Sequence, residues 1–402
     1  MQSGGQPNVV RYKLFGKTVF KVIDTGWCKC VVVLHVLKIF FGWKYRRVSV
    51  RSFKQNIGSG GQSLLYFDHC GGGGVAVYSD RKIDELSKKF DVVICKYNPD
   101  CGAYFFFRVR DGAVCVVKKF RFRSWHGLFS RIVINNLVGY KSIKDVIGFV
   151  TREKNASQGL GVEFMLHDYY CLCPTVHLLQ PNLVSCVKHD AVVCTKCQSN
   201  ILQWRAQWLP VLENVVTDIV VFSDSSKKIF LSVYPSLESK VRLVPHNVPK
   251  MRSVKIKKHN GINIGVVGNL TSVKGKEIVC QMLDVLPDDV RIVNIGTFYG
   301  YIPQSEKFVC TGPYVHAALP DLVQMHQIDV VFIASVVPET FSFTTSECID
   351  MGLPVVCFDI GAPAQRVAKY ESGMVISQID ANVALTEILN FVHRIKRTPH
   401  TC

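Results

Sequence analysis

The chain has 402 residues, of which 48% are hydrophobic and 20% charged, a composition typical of a folded globular protein. This length excludes a single ordinary hydrophobic core, so two or three domains are expected. The net charge of +17 favours an anionic partner, which is nucleic acid, an anionic membrane face or a phosphorylated small molecule. No pattern typical of an RNA-recognition, homeodomain or helix-turn-helix module occurs, so nucleic acid is the least favoured of the three.

The sequence gives several indications of cellular location. The N-terminus is polar and lacks the apolar stretch of a signal peptide. The longest apolar run, 30–43, is interrupted by His35 and Lys38 and is too short to span a bilayer. Sixteen cysteines without a secretory signal favour reduced thiols in a cytosol. We expect a cytoplasmic protein, and the basic charge adds the hypothesis of peripheral association with the inner face of a membrane.

A regular alternation of strands and helices follows an N-terminal leader at 1–50, which holds two short hairpin-like apolar pieces. Residues 51–247 predict a first Rossmann-like domain. Its strands are predicted at 64–67, 91–97, 162–166, 219–222 and 241–244.

A linker at 248–260 leads to a second Rossmann-like domain at 261–381, and a terminal helix and tail occupy 382–402. Strands of this domain are predicted at 262–268, 290–295 and 329–334, and helical patterns separate them. The predicted fold class is α/β, with two doubly wound domains that face a cleft. Ligands of such folds usually bind in that cleft.

The most informative pattern lies in the second domain, where a buried strand is followed by Glu339, a helix with Glu347 and another buried strand. If the helix starts at Glu339, about 100° per residue returns Glu347 to within roughly 80° of it. Main-chain N–H groups of Thr340, Phe341 and Ser342 would then bind phosphate, and the two acids would accept hydrogen bonds from sugar and ribose hydroxyls. Alternatively, Glu339 only complements the helix dipole and Glu347 is a solvated surface acid.

The segment from Glu339 through Glu347 resembles the E-x7-E element of the retaining nucleotide-sugar glycosyltransferases of the GT-B fold, family 4. Gly268-Asn269-Leu270 with Lys274-Gly275 is similar to that family's Gly-Arg-Leu … Lys-Gly element. His167, which follows a predicted strand, is similar to the active-site histidine of the family's first domain. The resemblance covers most of 60–400, and the glycine run 71–74 is similar to the family's N-terminal phosphate-side loop.

The resemblance implies a role for each matched residue of the second domain. Glu347 would bind the ribose hydroxyls of the donor, with Gly268 and Asn269 nearby. Glu339 would hold the donor sugar and stabilise the positive charge that develops at the anomeric carbon. Lys274 would neutralise the leaving diphosphate. The residue-level alternative is that Lys274 is a solvated loop cation.

In the first domain, the resemblance implies that His167 lies against the donor sugar, and that Gly72 and Gly73 let backbone amides approach the phosphates or the acceptor. Alternatively, His167 is a hydrogen-bonded core histidine and the glycines form a flexible turn.

The clearest departure from the family is Asn269, which stands where members usually carry arginine. Losing those donors should weaken leaving-group stabilisation by roughly 1–3 kcal/mol unless another basic residue substitutes. No Asp-x-Asp metal motif occurs, which agrees with catalysis that requires no metal or other cofactor.

A cysteine-rich insertion at 171–197 forms a second constellation. A C-x2-C pair ends it, and two earlier cysteines complete a tetrahedral thiolate set for a structural zinc: Cys173, Cys186, Cys194 and Cys197. Some bacterial polysaccharide glycosyltransferases are similar in this segment. The alternative is a group of buried free thiols.

These observations predict a glycosyltransferase that moves a sugar from a nucleotide diphosphate donor to a glycan or lipid-linked acceptor in polysaccharide or glycoconjugate synthesis. A nucleotide-sugar-binding or scaffold subunit without turnover is the first alternative, and Asn269 favours it. A nucleic-acid-binding zinc protein is the second alternative.

Overall fold

The structure, a computed structural model, describes residues 9–14, 17–23, 46–58, 61–71, 74–100, 102–118, 125–180, 185–193 and 201–397. The chain forms two compact units. Unit 1 comprises Met1–His167 and Ala206–Val220, and unit 2 comprises Asp168–Arg205 and Val221–Cys402. The described part of the cysteine-rich insertion therefore packs in the same unit as the C-terminal sheet.

The strands are, in chain order, β1 (Val9–Leu14), β2 (Lys17–Ile23), β3 (Arg46–Arg47), β4 (Ser63–Asp68), β5 (Asp91–Asn98), β6 (Ala103–Arg108), β7 (Ala113–Val117), β8 (Arg131–Ile134), β9 (Gly161–Met165), β10 (Val187–Lys188), β11 (Ala191–Val192), β12 (Asp218–Val221), β13 (Val241–Leu243), β14 (Ile262–Val267), β15 (Val290–Ile295), β16 (Phe308–Cys310), β17 (Val330–Ile333), β18 (Val355–Phe358) and β19 (Gly373–Ile376). The α-helices are α1 (Val50–Gln55), α2 (Gly74–Ser87), α3 (Ile143–Ala156), α4 (Ile201–Asn214), α5 (Asp224–Leu231), α6 (Lys276–Asp284), α7 (Leu319–Met325), α8 (Phe343–Asp350), α9 (Gly361–Val367) and α10 (Ala381–Arg397).

The main sheet of unit 1 has a parallel centre. Its strands lie in the order β12-β9-β8-β4-β5-β6-β7-β3, and the run from β12 to β5 is parallel. From β4 the chain crosses to β5 on one side and returns to β8 on the other, so the direction of winding reverses at β4. The antiparallel strands β6 and β7 extend the sheet and were not predicted.

Unit 2 is built on a fully parallel sheet in the order β16-β15-β14-β17-β18-β19. This is the strand order of a Rossmann sheet, and its direction of winding reverses between β14 and β17. Alternate residues of β17 enter two cores on opposite faces: Val330 and Phe332 in one, Val331 and Ile333 in the other. Burial on both faces explains why such strands are continuous apolar runs in the sequence.

The predicted α/β class with two doubly wound sheets is therefore confirmed. The helix predicted within 382–402 is also present, as Ala381–Arg397. Among the described residues, no helix combines the length and apolar character needed to cross a bilayer.

Candidate active site

Two loops bring Lys274 and Glu339 together at the carboxyl edge of the unit 2 sheet. Lys274 ends a 3-10 turn that follows β14, and Glu339 lies in the loop that follows β17. The Nζ atom of Lys274 is 2.7 Å from Oε2 of Glu339. Since winding reverses between β14 and β17, this contact lies at the topological switch point, where ligands of open α/β sheets bind.

The carboxyl group of Glu339 is nearly enclosed, with 12% of its side chain exposed. Burial acts to raise its pKa. The charge of Lys274, with hydrogen bonds from Lys274, Ser335 and Ser342, outweighs burial and holds the pKa below the ordinary value of 4.5. The group is therefore ionised at neutral pH, as required of an acceptor for hydroxyl groups or a stabiliser of positive charge.

Two glycines permit this close approach of backbone segments. Gly275 has φ +82°, and a Cβ atom there would lie 2.0 Å from the carbonyl oxygen of Ala334. Gly361 has φ +69°, and its Cβ would lie 2.7 Å from the backbone nitrogen of Glu339. Any larger residue at either position would push the loops apart, so both glycines are steric requirements of the site.

The helix α8 begins at Phe343, so the prediction that it starts at Glu339 is wrong. Ser342 has φ +66° and ψ +93°, a conformation that cannot continue a right-handed helix. The rotation of about 100° per residue therefore does not relate Glu339 to Glu347, because only Glu347 lies on the helix.

The main-chain groups of Thr340 and Phe341, like that of Ser342, precede the first helical turn instead of forming it. The N–H groups at the helix start belong to residues 343–345. At this point of the chain, Arg366 on α9 donates a hydrogen bond of 3.0 Å to the carbonyl oxygen of Ser342.

Arg366 is a site residue that the sequence analysis missed. Its guanidinium also donates to Ser346 and lies 4.4 Å from the ring centroid of Phe341. Burial lowers the pKa of Arg366 to about 10, against the opposing effect of the Glu339 charge. A signal was present, because Arg366 is the single charged residue in α9.

Glu347 lies on the buried face of α8 with 8% of its side chain exposed, so the alternative of a solvated surface acid is wrong. The Nε2 atom of His316 lies 2.8 Å from Oε1 of Glu347. His316 is in the 3-10 turn that precedes α7, far from Glu347 in the chain, and no sequence pattern indicated it.

Gly268 and Asn269 follow β14, on the same edge of the sheet. Gly268 has φ +109°, and Gly296 packs so closely that its Cβ would lie 2.0 Å from the Gly268 carbonyl oxygen. The side chain of Asn269 is exposed. The loops after β14 and β15 therefore pack backbone against backbone beside Asn269.

The remaining predicted residues are placed differently. His167 belongs to unit 1, where it is buried and its Nε2 atom lies 2.9 Å from Oδ1 of Asn135. Gly72 and Gly73 lie outside the described residues.

Of the predicted zinc ligands, Cys173 and Cys186 are buried and form no disulfide, and Cys194 and Cys197 lie outside the described residues. The Sγ atom of Cys173 is 3.1 Å from Oγ1 of Thr175. Within the described ranges, no group of three or more histidine, cysteine or acidic side chains is arranged to hold a metal ion.

Comparison with solved structures shows which fold these units make. HepE from Anabaena, crystallised in complex with UDP, is 15% identical, with a TM-score of 0.51 over 84% of this chain and 92% of that one. Sucrose-phosphate synthase from Thermosynechococcus elongatus is 12% identical, with a TM-score of 0.55 over 83% and 90%. A glycosyltransferase from Rickettsia africae ESF-5 is 12% identical, with a TM-score of 0.52 over 84% and 89%.

These similar structures are GT-B glycosyltransferases, so the predicted GT-B fold is confirmed. The similarity extends over most of each chain and concerns the fold. The amino-acid sequence matches no protein-family model and no curated protein.

Proposed function

We propose that the chain is a retaining glycosyltransferase of the family 4 type that moves a sugar from a nucleotide diphosphate donor to a glycan or lipid-linked acceptor. The observation that carries this proposal is the contact between Lys274 and Glu339 at the switch point of the unit 2 sheet. In the same fold, HepE has been crystallised with UDP and with UDP-glucose. A cation beside an enclosed, ionised acid suits a donor that carries a diphosphate and a sugar.

The proposed reaction breaks the bond between the anomeric carbon and the diphosphate oxygen, and the electron pair leaves with the diphosphate. Lys274 neutralises the charge that develops on this leaving group, and Glu339 stabilises the positive charge at the anomeric carbon. The acceptor hydroxyl oxygen bonds to the same face of the carbon, and its proton passes to the leaving diphosphate. No residue is required as a covalent nucleophile.

The first experiment is a screen of nucleoside diphosphates for thermal stabilisation of the protein, followed by transfer assays with the matching sugar donors. Lys274→Ala and Glu339→Ala should abolish transfer and leave the protein folded. Lys276→Ala is the matched control, because Lys276 pairs with Glu277 at 3.6 Å, whereas Glu339 pairs with Lys274. Retained transfer in both site variants would refute the assignments, and the anomeric configuration of the product tests retention.

A nucleotide-sugar-binding subunit without turnover is the second candidate, and Asn269 favours it. An exposed amide stands at the end of β14, where the resemblance leads one to expect an arginine. Binding of the donor without hydrolysis or transfer would support this candidate. Transfer by the native protein would exclude it.

The cellular setting is part of the proposal. We propose a cytoplasmic enzyme that requires no metal for catalysis and that meets an anionic membrane face through its basic surface, as the net charge of +17 suggests. Failure to co-sediment with anionic liposomes at physiological salt would remove the membrane contact. Full activity without added divalent metal ions is expected. Strong salt-sensitive binding to nucleic acid would favour the zinc-protein alternative.

A further inference from the structure

A buried polar network lies at the carboxyl edge of the unit 1 sheet, where winding reverses at β4. Asp68 ends β4, and Asn135 follows the neighbouring strand β8. The Nδ2 atom of Asn135 donates to Oδ1 of Asp68 at 2.9 Å and to Oγ of Ser79 at 2.9 Å. On its other side, the Oδ1 atom of Asn135 is 2.9 Å from Nε2 of His167. All four residues of this network are buried.

Asp68 is an ionised carboxylate. Burial acts to raise its pKa, but a hydrogen bond from His69 and the charge of Lys96 outweigh burial and hold the pKa well below the ordinary value. The Nζ atom of Lys96 lies 3.0 Å from Oδ2, and Nδ1 of His69 lies 3.2 Å from Oδ1. An ionised carboxylate only accepts hydrogen bonds.

This charge state decides the orientation of the Asn135 amide. Because Asp68 accepts only, the amide must turn its NH2 group towards the carboxylate, and its oxygen therefore faces His167. An amide oxygen only accepts, so Nε2 of His167 must carry the hydrogen in this bond. The ring is held further by the edge-to-face contact with Tyr78, whose ring centroid lies 4.7 Å away.

We propose that Asp68 and Asn135 are positioning residues that hold His167 in the tautomer with its proton on Nε2. The neutral ring then has Nδ1 as its acceptor nitrogen. In its catalytic part this inference rests on the proposed function: an acceptor nitrogen suits a hydroxyl group of a sugar substrate, which can donate to it. Lys96 has a supporting part, because it balances the buried charge that sets the whole orientation.

The direct test is nitrogen NMR of protein labelled with ¹⁵N-histidine, with the His167 signals assigned from a His167→Gln sample. At a pH where the ring is neutral, the native protein should show the proton on Nε2. Asn135→Ala should convert this to a mixture of tautomers. Asn136→Ala is the matched control, because the neighbouring amide bonds the Val138 backbone instead and should leave the His167 signals unchanged.

A proton on Nδ1 in the native protein would overturn the proposal, as would an unchanged tautomer in folded Asn135→Ala. If Asn135→Ala does not fold, the double variant Asp68→Asn, Lys96→Met replaces it. An amide at position 68 donates as well as accepts, so Asn135 is free to flip and the second tautomer should appear. A His167 tautomer identical to that of the native protein would then refute the inference.

A kinetic measurement extends the test to the reaction. Asn135→Ala should lower kcat for transfer by about 10²-fold, the loss typical of a mispositioned group, with donor KM changed much less. Asn136→Ala should leave kcat unchanged. If the native protein transfers no sugar, the proposed function fails, but the NMR experiment still decides the tautomer.

Discussion

Lys274 and Glu339 make a 2.7 Å ion pair across two loops that are separate in the chain, and each loop is held against its neighbour by a glycine. Gly275 follows Lys274 directly and packs on the Ala334 carbonyl. Gly361 packs on the backbone at Glu339. Close backbone packing at these two glycines therefore brings the ammonium group of Lys274 to the carboxylate of Glu339. The ion pair lies where the direction of winding of the sheet reverses.

Lys274→Met should destabilise the protein in a pH-dependent way. Without the lysine, the enclosed Glu339 carboxylate loses its main compensating charge at neutral pH. We expect a loss of about 1 kcal/mol, near the low end for an unpaired buried group, since 43% of the Lys274 side chain is exposed. Because the native pKa of Glu339 lies below 4.5, this contribution is present above pH 4.5 and is lost as the pH falls through the native pKa.

Urea unfolding of both proteins at pH 7 and at pH 3–4 measures the difference. Lys276→Met, two positions away, is expected to change stability by less than about 0.5 kcal/mol at either pH. A Lys274→Met loss that does not shrink on acidification would contradict the assignment of the pair.

Gly275→Ala should be far more damaging than Gly312→Ala, although both glycines have similar positive φ values, +82° and +76°. Each alanine incurs left-handed strain of roughly 1–2 kcal/mol. Only at position 275 does the new Cβ also meet backbone, at 2.0 Å from the Ala334 oxygen, whereas nothing lies within 4 Å at position 312. Thermal unfolding compares the two, and equal losses would show that the close approach is unimportant.

Arg366→Lys should lower the free energy of unfolding, although the positive charge is retained. A lysine ammonium group cannot donate to both Ser342 and Ser346 and also lie over the Phe341 ring. We therefore expect a loss of stability of about 1–3 kcal/mol. The freed Ser342 carbonyl should also disturb the start of α8 and reduce nucleoside diphosphate affinity in calorimetry. Lys369→Ala, on the exposed end of the same segment, should alter neither quantity.

His316→Ala should leave the buried Glu347 carboxylate without its 2.8 Å partner, at a loss of about 1–3 kcal/mol. His316→Gln retains a side-chain donor and should recover part of that loss. Denaturant unfolding distinguishes the two variants. If both lose the same stability, the hydrogen bond contributes nothing and the packing of His316 accounts for its effect.

Elemental analysis tests the zinc prediction. We expect about one zinc per chain, bound by Cys173, Cys186, Cys194 and Cys197 as a closed tetrahedral set. Cys173→Ser should remove the metal, and Cys280→Ser, a partly buried cysteine in α6, should not. Protein without zinc would indicate that these residues are free thiols.

The sequence predicted several central strands of both sheets, such as β4, β5, β14 and β15, because a strand buried on both faces is a continuous apolar run. It missed others, among them β6, β7 and β8. It failed at the start of α8. The pattern from Glu339 to Phe341 is compatible with a helix, but Ser342 adopts φ +66°, which cannot continue a right-handed helix, and α8 begins only at Phe343. Local helix propensity did not indicate this backbone conformation at Ser342.

By itself, the amino-acid sequence determined the α/β class and the doubly wound organisation, since these follow from local periodicity. It identified Glu339 and Glu347 as candidates from their spacing, and Lys274 from its resemblance to a family motif. Tertiary structure alone decided which groups meet: Lys274 with Glu339, His316 with Glu347, and Asn135 with both Asp68 and His167. The reason is that strand order, not chain order, sets which loops share the carboxyl edge of a sheet. Residues far apart in the chain therefore become neighbours without any pattern that links them.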